Sequence, residues 1–190
     1  MNYRSIFKRY PRVFTFSVII AVGLAAGLAG MFVLGAVSRR ASKPVFEGRL
    51  ADVPESPNCV STRATDSLHS IAPLTFEGSP AEAMDRLGRI ISEMPRTTIC
   101  SVTARYMHVE FTTAFFGFVD DVEFLIDPDH QRIDFRSASR VGHSDLGANR
   151  RRMEDIRRRF DMAVTLGAPH GNVTAKENNM DPAINVRQPE

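Results

Sequence analysis

Apolar and charged positions are sharply segregated at the start of this chain. From residue 13 to residue 38 it reads VFTFSVIIAVGLAAGLAGMFVLGAVS, 26 residues without a charge, bracketed by Arg12 and Arg39. A helix needs ~20 apolar residues to cross a hydrocarbon core. This run is apolar or small all round, whereas a soluble core helix keeps a polar stripe. Residues 13–37 are therefore expected to form a single transmembrane helix behind a basic tail, residues 1–12. The competing reading is a cleaved signal peptide, with Ala36, Val37 and Ser38 as a small-residue cleavage site, but such peptides carry an apolar region of only ~7–15 residues. Gly23, Ala26, Gly27 and Gly30 have small-xxx-small spacing, which suits close helix approach and self-association in lipid.

Beyond the span the pattern changes three times. Residues 38–57 contain Pro44, Pro54 and Pro57 among mixed charges and read as a linker. Residues 58–167 carry periodic apolar positions and form the soluble domain, ~110 residues, a usual size for one core. Residues 168–190 are polar and broken by Pro and Gly, the composition of a disordered tail.

Within the domain, Ser79-Pro80-Ala81-Glu82 has the form of a capping box with Pro at the first helical position. Ala83, Met84, Leu87, Ile90, Ile91 and Met94 follow at helical spacing up to Pro95. Ile71, Leu74 and Phe76 suggest a short strand before it. Three strands are expected after it. Residues 98–112 form the first, irregular near Arg105, with Val102, Ala104, Met107, Val109 and Phe111 toward the core. In the second, Phe118, Asp120, Val122, Phe124 and Ile126 share one face and Val119, Asp121 and Glu123 the other. In the third, Ile133, Phe135, Ser137 and Ser139 oppose Asp134, Arg136, Ala138 and Arg140.

Antiparallel partners must lie on the same face, and four-residue loops at 113–116 and 128–131 meet that condition. They align His108 with Asp121, Tyr106 with Glu123, and Glu123 with Arg136. A last helix, capped by Ser144 or Asp145 and running to about Leu166, sets Leu146, Met153, Ile156 and Phe160 on one side. The order predicts an α+β fold: a two-layer domain with an antiparallel β-meander and two packed helices, preceded by a single transmembrane helix.

Charge narrows the partners. A net charge of +2 argues against nucleic acid, which favours strongly basic faces. Arg4, Lys8, Arg9 and Arg12 before the span balance Arg39, Arg40, Lys43 and Arg49 after it, so the positive-inside rule is indecisive. The short acid-free tail favours an N-terminus in the cytoplasm and a domain outside it, on the periplasmic side of a bacterial inner membrane. Cys59 and Cys100 are consistent with a disulfide in such a compartment, or with two buried thiols.

The polar sheet face gathers His108, Glu110, Asp121, Glu123, Arg136 and Arg140 and is the leading site candidate. One reading is a solvated ladder of ion pairs; the other is recognition of an anion or polar ligand by Arg forks. His108 with Asp121 or Glu110 is the candidate acid/base pair for a hydrolase-type alternative. No paired-His spacing or Cys cluster points to metal, and no nucleophile elbow, phosphate loop or dinucleotide-binding glycine pattern occurs, so no cofactor is expected. The run Arg150, Arg151, Arg152, Arg157, Arg158 and Arg159 is either a solvated helix face or a contact for anionic head groups.

PNCVSTRA at 57–64, MPRT at 94–97, YMHVEF at 106–111, FVDDVEFLID at 118–127 and RSASRVGHSDLGANRRRMEDIR at 136–157 together resemble the domain-of-unknown-function 1499 family of bacteria and plastids. The resemblance covers residues 57 to about 160. It implies a membrane-attached or lumenal protein with no established activity. Its characteristic residues would be Cys59, His108, Glu110, Asp120, Asp121, Glu123, Arg136, Ser137, Ser139, Arg140, Asp145, Asn149 and Arg150; Cys100 is not among them. From these readings we expect a binding or assembly module for a lipid head group, a small anion or a membrane protein partner. Its ligand would contact Arg136, Arg140, Glu123, Asp121, His108, Asn149 and Arg150.

Overall fold

The computed structural model describes residues 11–44 and 48–165. The readings of residues 1–10 as a basic tail and of 168–190 as a disordered one lie outside the described residues. Helix α1 spans Pro11–Arg40. It ends three residues beyond the expected span of 13–37, because Ser38 and Arg39 have partners in the domain.

The domain is built from β1 (Cys59–Ser61), β2 (Leu74–Thr75), α2 (Pro80–Ser92), β3 (Thr97–Val102), β4 (Tyr106–Thr112), β5 (Val119–Asp127), β6 (Arg132–Ser139) and α3 (Ala148–Thr165). The strands form one antiparallel sheet in the order β1-β6-β5-β4-β3, with β2 also pairing to β6. The α+β expectation holds, with six strands in place of four.

Helix α2 starts where its sequence says it should. Ser79 is extended, its Oγ accepts from the Glu82 amide, and the Glu82 carboxylate accepts from the Ser79 amide, so the capping box is closed. Ala83, Met84, Leu87, Ile90 and Ile91 are buried against the sheet. From α3, Met153, Ile156 and Phe160 join them, facing Val109, Val122, Phe124, Ile126, Ile133 and Phe135. Burying each such large side chain contributes ~1.5–3 kcal/mol. Leu146 is not part of this face: it precedes α3, has φ +54°, and is 84% exposed. The Asp145 carboxylate accepts from the Asn149 amide at 2.7 Å and so caps the helix.

Two strand readings need correction. Residues 98–112 are not one strand but a hairpin, β3 and β4, turned at residues 103–105. The Thr103 hydroxyl accepts from the Tyr106 amide and the Tyr106 carbonyl accepts from the Thr103 amide. A side-chain hydroxyl thus closes a turn that carries no Gly, Pro or Asn signal. Val102, read as core, is exposed there, as is Ala104.

The β4–β5 register also differs. Thr112 pairs with Val119, leaving a six-residue loop at 113–118, so His108 stands opposite Glu123 and Glu110 opposite Asp121. The shift is two residues, which keeps every side chain on its face. Gly117, at φ +68°, supplies the left-handed residue in that longer loop. The β5–β6 register is as expected, with Asp127 opposite Arg132 and Glu123 opposite Arg136.

Candidate functional site

Alternation along β4, β5 and β6 sends His108, Glu110, Asp121, Glu123 and Arg136 to the face away from the helices, and Arg140 follows at the end of β6. Partners one register step apart then meet on the diagonal. His108 Nε2 donates to Asp121 Oδ1 at 2.7 Å, and the Tyr106 hydroxyl donates to Glu123 Oε1 at 3.1 Å. Arg140 grips Asp121 as a fork, Nε to Oδ2 and Nη2 to Oδ1, both at 2.7 Å, and Nη2 also donates to Glu110 Oε1 at 2.7 Å. Arg136 Nη1 donates to Glu123 Oε2 at 3.3 Å.

This face is not solvated. The Glu123 and Arg140 side chains are 0% and 2% exposed, and His108 and Asp121 are buried with them. The cover is the segment that the prolines suggested was a tether. Leu50 is buried against Tyr106 and Leu125, the Ala51 amide donates to Glu123 Oε1, and the Asp52 carbonyl accepts from Arg136 Nε at 2.9 Å. Lys43 reaches Glu110 Oε1 at 2.7 Å from the start of the same segment. Both backbone contacts are made by non-repeating chain, so periodicity gives no sign of them.

Burial pushes Asp121 upward, but the hydrogen bonds and charges of Arg140 and His108 outweigh it and hold this carboxyl below its usual range. Glu110 is likewise lowered: burial raises it, and Lys43 and Arg140 more than compensate. The Asp121 hydrogen bond is the main cause raising Arg140 above an ordinary guanidinium. Burial first, then the nearby Glu123 charge, raises the Tyr106 phenol. Asp121, Glu110 and Arg140 are thereby held in their ionised forms, and the Tyr106 phenol in its neutral one.

Between this segment and the end of β6 lies a cavity of about 470 Å³. Its charged lining residues are Lys43, Arg136, Arg140 and Asp121, and Ser42, Ser56 and Asn58 add polar groups.

Asn149 and Arg150 are elsewhere. Asn149 is buried on the helix side, where its Oδ1 accepts from Ser137 Oγ and Arg152 Nη1 and its Nδ2 donates to the Asn58 carbonyl. Arg152 continues to the Asp120 carboxylate and lies over the Phe111 ring. Arg150 donates to the Leu68 and Ser70 carbonyls, and Arg157 to those of Ala72 and Pro73. Half of the arginine run is therefore structural cross-linking. Cys59 and Cys100 are both free. They stand on strands at opposite edges of the sheet, β1 and β3, so the disulfide reading is corrected. Cys59 is buried, which pushes its thiol up to about 11. Among the described residues no three His, Cys, Asp or Glu side chains converge as a metal-holding group.

Sequence reasoning set Tyr106 beside Glu123 without reading it as a donor, and missed Lys43, Asp52, and Arg152 as the partner of Asp120. Only the last left a signal: Asp120 is a carboxylate on an otherwise apolar face, and such a group requires a cation.

The end of α1 is fastened to the same sheet. Ser38 Oγ accepts from the Val119 amide at 2.9 Å, and Arg39 Nη1 donates to the Phe116 and Gly117 carbonyls. A Cβ on Gly35 would fall 1.8 Å from the Phe116 carbonyl oxygen, so only glycine permits the approach. Phe32 meets the Phe116 ring edge-on, centroids 5.3 Å apart.

Fold and site together define an α+β domain with a covered ionic sheet face, docked to one helix long and apolar enough to cross a membrane. The chain belongs to the family described as protein of unknown function (DUF1499), whose model matches residues 49–160. No curated protein matches it.

Proposed function

We propose that this chain is a single-pass, membrane-anchored binding module, noncatalytic, with its domain outside the cytoplasm and its ligand a phosphate-bearing group such as a lipid head group. The observation that carries this reading is the cavity beside α1. It begins two residues after the apolar helix ends, at Ser42, and its charged lining is three cations to one carboxylate. Of these, Lys43 is 57% exposed, and its ammonium, paired with Glu110 Oε1, keeps further N–H donors for a ligand, and each cation near an anionic surface is worth ~1 kcal/mol. Arg136 and Arg140 contribute field more than contact, since their side chains are only 13% and 2% exposed and are paired with Glu123, Asp121 and Glu110. Catalysis by His108 is the weaker alternative, because Asp121 accepts from Arg140 at both oxygens and lies buried beneath the covering segment.

The test is native mass spectrometry of the full chain released from membranes in mild detergent. An anionic lipid retained at one copy, and lost in Lys43→Ala without a drop in unfolding midpoint, is the expected result. Retention unchanged in Lys43→Ala removes the site; displacement by inorganic phosphate instead of lipid assigns it to a soluble anion. Cys100 is exposed, so a membrane-impermeant thiol reagent applied to intact cells labels it only if the domain faces outward.

A further inference from the structure

We infer that the β4–β5 loop, residues 113–118, enters the interfacial layer of the bilayer beside α1, with Phe115 its leading side chain, and so gives the domain a second membrane contact. The inference rests on α1 spanning a membrane, and the test separates the two.

Position is the first argument. Phe32, which touches Phe116, lies eight residues before Arg40, ~12 Å back along the helix, and ~7–8 Å inside Val37. The loop therefore runs alongside the apolar part of α1. The second is composition: residues 112–119, TTAFFGFV, hold no charge, and Phe115 is 85% exposed, a large apolar ring with no cover in the domain. Phe32 and Val33 are exposed on the neighbouring helix, so the ring is continuous with surface that already requires lipid.

The third argument is polar satisfaction, because backbone leaving water needs partners. The Phe118 amide donates to Thr113 Oγ1, the Thr113 amide to the Phe118 carbonyl, and the Phe116 and Gly117 carbonyls accept from Arg39. Arg39 does this by reaching back one turn from the helix end, its Nη1 3.6 Å from where a Cβ on Gly35 would stand, so the guanidinium satisfies the loop within the same layer. Buried apolar rings beside a basic side chain are the usual chemistry of interfacial anchors.

The chain contains no tryptophan, so single tryptophans report directly. Full-length Phe115→Trp, Leu24→Trp and His130→Trp proteins are reconstituted into lipid vesicles containing brominated acyl chains. Leu24 lies mid-span, and His130 lies in the turn at the far end of β5. The expected result is blue-shifted emission and loss of most intensity at positions 115 and 24, with position 130 unquenched. Quenching at 24 but not at 115 overturns the inference and leaves the span standing. No quenching at 24 overturns the membrane reading itself, and the inference with it. A shift at 115 in native membranes but not in protein-free lipid assigns the loop to a protein partner and also overturns it.

Discussion

On one face of the sheet, α2 and α3 press Leu87, Ile91, Met153 and Phe160 against Val109, Phe124 and Phe135. On the other, an irregular segment lies over His108, Asp121, Glu123 and Arg140. Both faces are removed from water, the first by matching apolar shapes and the second by matching charges. Apolar packing loses energy in proportion to what is removed. An ionic cluster behaves otherwise: deleting one member strands the rest, while deleting a balanced pair can cost little.

That difference gives the largest expected effect. Arg140→Leu leaves the buried Asp121 and the half-buried Glu110 with fewer partners and should cost ~3–5 kcal/mol. Phe135→Ala in the core should cost a similar ~3–5 kcal/mol. The two separate on addition of a second change. Asp121→Asn with Arg140→Leu removes both charges and keeps an acceptor for His108, so it should recover most of the single-variant loss. Urea unfolding of the full chain in detergent measures all three; a double variant as unstable as Arg140→Leu would mean the face is held by something other than charge balance.

How each face could be read from the sequence follows the same division. The core face was legible because apolar side chains recur at fixed periods, as in α2 from Ala83 to Ile91 and in β5 at Val122, Phe124 and Ile126. The residue set of the ionic face was legible for the same reason, together with the Glu123–Arg136 pairing. What pattern could not give was the β4–β5 register and the burial, although the expected His108–Asp121 and Tyr106–Glu123 pairs still meet on the diagonal. An even register shift leaves alternation intact, so His108 opposite Glu123 looks the same in sequence as His108 opposite Asp121. The covering segment binds through the Ala51 amide and the Asp52 carbonyl, groups that every residue type carries.

Acid is the next probe, of intermediate size. Asp121 and Glu110 have folded pKa values below those of the unfolded chain. In the interval between them the unfolded state binds more protons, so stability rises with pH there. Their contribution is complete above the unfolded carboxyl range, near ~4, and is lost as the pH falls through the folded values. Each carboxylate adds at most ~1.4 kcal/mol per pH unit to the slope. Urea midpoints measured from neutral pH down to ~3 should therefore be flat and then fall, and the Asp121→Asn, Arg140→Leu protein should fall less steeply. Phe135→Ala should keep the wild-type slope, since it touches no titrating group.

The smallest effect concerns motion, not stability, and it asks whether the two covers open together. Cys59 stands opposite Ala138, on the ionic face, and is 1% exposed. Its thiol, held near 11 by burial, is a poor nucleophile at neutral pH, whereas Cys100 on the edge strand β3 is exposed. A thiol reagent should label the exposed Cys100 first, although burial and Glu110 raise its thiol as well, and Cys59 only when its surroundings open. An irregular segment held by Leu50, two backbone hydrogen bonds to side chains of the sheet and polar contacts at Lys43 and Ser56 buries less than two packed helices, so it should open at lower free energy than the helices leave the core. Leu50→Ala should then speed Cys59 labelling several-fold while the urea midpoint moves little. If Cys59 labels only at the rate of global unfolding in both proteins, the segment is as firmly held as α2 and α3, and the cavity beside Lys43 admits a ligand only by its open side.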